Sequence, residues 1–212
     1  MSTTPERQRI ARAELARAFA ARNTAFVIHY ASEGFALEQP RITCIAARPL
    51  TGGQTVLFSI DQERQLQGVQ FLTLDSRAID ALERTMLDRF FVFLGGHQNH
   101  FWLHWNMRDA KFGFPALEQR YRVLGGQPSS VPDHFKVDLG SRMIDLYGDN
   151  YADPNRRLMA VAEMNGIAMR DFLDGPDQAA ALAQGDYAAV DRSTLRKVDV
   201  LLAIADKANT GR

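Results

Sequence analysis

The chain has 212 residues, 46% of them hydrophobic and 24% charged, with a formal net charge of zero. That is enough apolar side chain for one ordinary core, whereas the longest apolar runs, such as Val200 to Ala205, fall far short of the roughly 20 residues a membrane-spanning helix needs. Balanced charge argues against an all-round basic coat and leaves a local groove as the form nucleic-acid binding would take. A lone cysteine, Cys44, excludes an intramolecular disulfide and a cysteine-based zinc site, so a reducing cytoplasm is the expected setting.

The first unit, residues 1–22, is expected to be an amphipathic helix. "PERQRIARAELARAFAARN" places Ile10, Ala11, Leu15 and Phe19 at helical spacing and fills the other faces with arginine, which reads as a helix packed on the domain with a solvated arginine face. No apolar stretch there resembles a secretory signal, and Glu6 and Glu14 argue against an organellar transit peptide.

Residues 23–212 then read as one domain. "TAFVIHYA", "PRITCIAARPL" and "TVLFSI" are apolar runs separated by short turns, "TGGQ" being the second turn, and together they predict an antiparallel meander. "DQE", Asp61 to Glu63, reads as an exposed turn, and "GVQFLTL" as a further short strand. The long helix "SRAIDALERTMLDRFFVFL" follows, capped by Asp75 or Ser76 and ended by Gly95-Gly96. Next come "HFWLHW" as a strand, "FPALEQRYRVL" as a helix stopped by Gly125-Gly126, and "HFKVDL" as a last strand. The remainder predicts helices over "RRLMAVAEMNG", "MRDFLDG", "PDQAAALAQG" and "STLRKVDVLLAIADKA", the last capped by Ser193. The order is α/β: a mixed sheet made of a three-strand antiparallel meander, then strand-helix-strand, with flanking helices.

Within that order "LHWNMRDAKFGFPALEQRY" supplies a strand end, His104, Asn106, Phe112 and Leu117. It resembles the second motif of the DEDD (DnaQ-like) 3′–5′ exonucleases of the RNase H-like fold, which reads His-Asn, a short gap, Phe-Asp and an apolar helix with a leucine. The likeness runs from about Phe26 to Ala208, since "PRITCIAA" is similar to the family's second strand and "RRLMAVAEMNGI" to its later helix. It implies an RNase H-like fold and two-metal phosphodiester hydrolysis, in which carboxylates hold two Mg2+ or Mn2+ ions about 4 Å apart.

The resemblance also shows where this chain departs from the pattern. The first-strand Asp-x-Glu is absent from "FVIHYASEGF": His29 stands near the aspartate position and Glu33 is the nearest carboxylate. Imidazole suits zinc, copper, nickel or iron rather than magnesium, so His29 does not replace the missing ligand. In the second motif the family's aspartate falls near Gly113, with Asp109 as the displaced alternative; as a carboxylate near a helix N-terminus, Asp109 would be favourable without any metal. For the third motif, "YAAVD" gives Tyr187 and Asp191 at Tyr-x-x-x-Asp spacing, and Asp199 is the rival.

Two functional classes follow from the resemblance. The first is a divergent 3′–5′ exonuclease in which Glu33, Asp109 and Asp191 or Asp199 are rearranged catalytic carboxylates, with Glu33, Asp109 and Asp199 as the metal ligands. His104 would join the catalytic group, and Asn106, Trp105, His29 and Tyr187 would contact a single-stranded nucleic-acid end. The second is a catalytically inactive RNase H-like module, without a cofactor, that binds nucleic acid or a protein partner. His104 as a ring fixed by hydrogen bonds at the strand end, and Trp105 as core, are the structural alternatives for those residues.

Overall fold

A computed structural model describes residues 3–34, 40–70 and 74–211. β1 (Ala25–Ser32) is buried along its whole length, as a strand covered on both faces must be. Alternation sorts its side chains: Ala25 and Val27 enter one core, while Phe26, Ile28 and Tyr30 enter the other. β2 (Ile42–Pro49) runs antiparallel to β1 with Ile28 opposite Ala47, and β3 (Val56–Ser59) runs antiparallel to β2 with Ile45 opposite Phe58. β4 (Phe101–His104) then returns to the other side of β1, parallel to it, with Val27 opposite Leu103. β5 (Lys136–Asp138) lies parallel to β4 and pairs Asp138 with His104. The sheet order is β3-β2-β1-β4-β5, so the meander and the strand-helix-strand unit share one mixed sheet.

Helices cover both faces. α3 (Ser76–Gly96) and α4 (Phe114–Val123) bury Met86, Phe90, Phe114 and Leu117 against Ile28 and Trp102. On the opposite face lie α1 (Pro5–Ala20), α5 (Leu139–Tyr147), α6 (Arg157–Met164) and α8 (Tyr187–Thr210). α1 presents Ala11, Leu15 and Ala18 to that core, and Ile10 remains 42% exposed. The small alanines let the helix lie close to α5 and α8, so residues 5–20 share the core of the rest of the chain.

Several local expectations differ from what forms. Asp61 to Glu63 is no exposed turn: it opens α2 (Ile60–Gln67), because Ser59 accepts from the Gln62 amide at 3.0 Å as an N-cap. Asp61 and Glu63 are buried there. Ser193 caps nothing; α8 begins at Tyr187 behind Asp186, whose carboxylate accepts from the Ala189 amide at 2.9 Å. Ser193 lies about two turns inside that helix and accepts from the Leu173 amide at 2.9 Å. "MRDFLDG" forms no helix: the Leu173 amide goes to Ser193, and Asp174 turns outward to cap α7 (Gly175–Ala183). α5 had no counterpart in the sequence reading, and the expected strand over 68–74 crosses residues 71–73, outside the described residues.

Candidate functional site

β1, β4 and β5 are parallel, and their carboxyl ends face the same way, which is where ligands of open α/β sheets gather. His104 closes β4 at 2% exposure, and its Nδ1 accepts the Met107 amide proton at 3.2 Å. Burial pulls its pKa down to about 4, against the opposite pull of the Asp138 carboxylate 3.9 Å away. The ring is therefore neutral, and it acts as an acceptor that turns the chain out of the strand. Asp138 is the hub of this corner. Its carboxylate accepts from the Asn106 amide (2.9 Å), the Gly140 amide (3.0 Å), the Ser141 hydroxyl (3.0 Å) and Arg108 Nε (2.8 Å). Asn106 is exposed, adopts a left-handed φ of 55° and accepts from Arg108 through its side-chain oxygen at 3.1 Å. Trp105 is 6% exposed within the α1/α5/α8 core, and Trp102 is buried on the opposite face. The strand-end polar group thus builds a corner, with Asn106 as its solvent-facing member.

Asp109 lies in the loop that follows. Its Oδ1 accepts from the Lys111 amide at 2.8 Å and the Phe112 amide at 2.9 Å, a local turn that holds its pKa below the usual value. α4 begins only at Phe114, so Asp109 and Gly113 do not share a helical face. Gly113 donates its amide to the Tyr30 hydroxyl at 2.9 Å and is packed against the preceding loop: a Cβ there would meet the Met107 carbonyl carbon at 2.6 Å and the Arg108 nitrogen at 2.7 Å. The position of the family's aspartate accommodates no side chain. Gly113→Ala should therefore lower stability by about 1–3 kcal/mol in urea titration, and Gly113→Asp by at least as much. An unchanged midpoint would show that the loop yields freely.

Glu33, just past β1, is tied into an ion network. Arg41 donates to it at 2.5 Å and to Asp80 at 2.8 Å, while Arg120 reaches Asp80 at 2.9 Å and Glu83 at 2.6 Å. Asp199 is ion-paired with Arg48 and lies 3.4 Å from Arg196. Arg48 stands opposite Val27 and Glu33 bonds back to Arg41, so the backbone positions that anchor the two carboxylates are roughly 20 Å apart along β1. Glu33 and Asp199 sit at opposite ends of the strand.

What the fold does gather is a buried polar cluster between the sheet and α8. Asp191 is 8% exposed, with the Ser59 hydroxyl, the Cys44 thiol and Asp61 close to it. Burial raises its pKa from 3.8 to about 7. The Cys44 sulfur also lies 3.0 Å from the Thr194 hydroxyl. About two turns on, Lys197 donates to Gln178 at 3.0 Å, and burial lowers its pKa to about 8. His29 projects from β1 beside it, with Nδ1 buried and unpartnered; burial and the Lys197 charge together pull its pKa well down. Tyr187 opens α8 within the electrostatic reach of Glu33 and Arg41. Tyr187, His29 and Asp191 were anticipated; Ser59, Cys44, Asp61 and Lys197 were not. Lys197 carried a signal, since it continues the buried helical stripe of Val190, Thr194, Val198 and Leu201, where a lysine has to find a polar partner.

The residues present do not fit a pair of magnesium or manganese ions. Glu33 and Asp199 are paired with arginines, Asp109 with loop amides and Asp61 with Arg64 at 2.7 Å, and Glu33 and Asp199 lie at opposite ends of β1. Among the described residues no three His, Cys, Asp or Glu side chains converge as a metal-ligating group, and no helix is long and apolar enough to cross a membrane. No known family model, curated protein or solved structure matches this chain.

Proposed function

We propose that this protein is an RNase H-like module that engages the end of a single-stranded nucleic acid without two-metal hydrolysis. The strand order β3-β2-β1-β4-β5, with only β2 reversed against β1, β4 and β5 among the central strands, supports the RNase H-like part of the reading. The observation that supports the non-hydrolytic part is the commitment of three carboxylates: Glu33 to Arg41, Asp109 to loop amides and Asp199 to Arg48. Lys111, exposed in the loop after β4, supplies positive charge near the ends of the parallel strands, as phosphate contact requires.

A second reading, an active exonuclease, is supported by one specific feature. Asp61 and Asp191 are neighbours, and Tyr187, one turn before Asp191 on α8, lies within electrostatic reach of Glu33.

One assay separates these readings. Purified protein is incubated with end-labelled single-stranded and duplex DNA and RNA, with magnesium or manganese, beside Glu33→Gln, Asp191→Asn and Lys111→Glu. The expected result is retardation of single strands without shortening, weakened several-fold by Lys111→Glu. Metal-dependent shortening lost in Glu33→Gln and Asp191→Asn would establish the exonuclease instead. Neither binding nor shortening would redirect the module to a protein partner.

A further inference from the structure

α5, α6 and α8 leave a cavity of about 310 Å³ between them. That is the lower end of the range of small-molecule sites. Its wall is mainly apolar: Met143 and Tyr147 from α5, Val161 and Met164 from α6, and Ile204 from α8. Two of these side chains are left with apolar surface in water, Tyr147 at 51% and Met164 at 69% exposure. Methionine adapts its shape to an irregular apolar guest at little cost.

Most of the polar groups here are donors; the exception is Asn165, whose side-chain amide donates to the Val161 carbonyl at 2.9 Å and leaves its oxygen as an acceptor. Tyr151 lines the cavity, and its hydroxyl is buried with no hydrogen-bond partner. An orphaned buried hydroxyl is costly, and native structures leave few of them. Burial pushes its pKa up, so the group remains a protonated donor. Lys207 also lines the cavity and forms no ion pair among the described residues. Behind Tyr151, the Arg157 guanidinium sits 5.5 Å from the ring centroid; it donates to the Asp149 carbonyl at 3.1 Å and leaves its Nε without a partner. A phenol proton, an ammonium and a guanidinium together offer donors and positive charge, to which an anionic acceptor is the complement.

We propose that this cavity binds a small amphiphilic anion, a free medium-chain carboxylate, with its hydrocarbon body among Met143, Val161 and Ile204 and its carboxylate held by Lys207 and the Tyr151 hydroxyl. The site does not depend on the nucleic-acid reading, and Tyr151 lies within electrostatic reach of Asp138 at the strand-end corner.

The test uses the full chain labelled with 13C at the methionine methyl groups and titrated with decanoate, with decanol as the neutral counterpart and phosphatidylglycerol vesicles as the lipid-surface arm. Met143 and Met164 are expected to shift with decanoate, whereas Met86 and Met107, in the opposite core, stay in place. Decanol should bind at least tenfold more weakly, and Lys207→Met should weaken decanoate by a similar factor. Tyr151→Phe separates a ligand role from a structural one. Losing the orphan hydroxyl should leave the Tm of the free protein unchanged or higher while decanoate binding falls several-fold. Absence of shifts at Met143 and Met164, equal binding of decanol, or decanoate binding unaffected in both variants would overturn the proposal. Binding to vesicles without any response to decanoate would overturn it in favour of a lipid surface.

Discussion

Asp191→Asn is expected to raise stability at pH 8 by as much as about 4 kcal/mol and to change it little at pH 4. The cause is the burial that lifts the Asp191 pKa from 3.8 to about 7. Between those values the folded chain retains a proton that the unfolded chain has released, so protonation favours folding. That contribution is complete below pH 3.8 and is lost as pH rises through about 7. Above that, the native protein carries a buried carboxylate that asparagine would replace with a neutral group of the same shape. Urea titrations of both proteins at pH 5, 6, 7 and 8 should show curves that diverge with pH; parallel curves would refute the buried, protonated aspartate. The same series bears on metal binding. If magnesium raised wild-type stability at pH 7 and left Asp191→Asn unaffected, Asp191 would be a ligand and the non-hydrolytic reading would fall.

Glu83→Ala is expected to destabilise the protein by about 3–5 kcal/mol, the usual cost of removing one partner from a buried ion pair. The Glu83 side chain is fully buried on α3 and accepts from Arg120 of α4 at 2.6 Å and from the Ile42 amide, at the start of β2, at 2.7 Å. Removing it strands the Ile42 N–H and leaves the Arg120 guanidinium with Asp80 as its carboxylate partner. Glu83→Gln should cost less, because an amide oxygen still accepts from Ile42. Circular-dichroism melts with urea midpoints would measure both, and a loss under about 1 kcal/mol for Glu83→Ala would mean that water substitutes for the carboxylate. The network is also the reason Glu33 is unavailable as a ligand. Arg41, which holds Glu33, is bound in turn to Asp80 one helical turn before Glu83.

Periodicity and punctuation were enough for the individual strands. The apolar runs at Phe26, Ile42 and Val56 and their short turns gave the meander. The strands beginning near Phe26 and Phe101 pair as neighbours, because nearly continuous apolar strands bury both faces only inside a helix-covered sheet. α3, α4, α6 and α7 were legible for the same reason. Two differences show why other positions were not legible, one from a distant partner and one from a cap next to the residue itself. Ser193 resembles a cap, but Leu173, twenty residues earlier, takes its hydroxyl. Asp61 resembles a solvated turn residue, but the Ser59 cap and the packing of α2 bury it.

The site divides along the same line. From the sequence alone came the candidates: an imidazole where an aspartate is expected, a glycine at the second motif, and Tyr187 and Asp191 four residues apart. Only the tertiary structure could decide which carboxylates meet, since their separation depends on strand register and helix docking rather than on spacing along the chain. It placed Asp199 beside Arg48 and Glu33 beside Arg41, at opposite ends of β1. It also brought Cys44 and Ser59 from the meander and Asp61 from α2 close to Asp191, where burial, which no sequence pattern encodes, sets the protonation state.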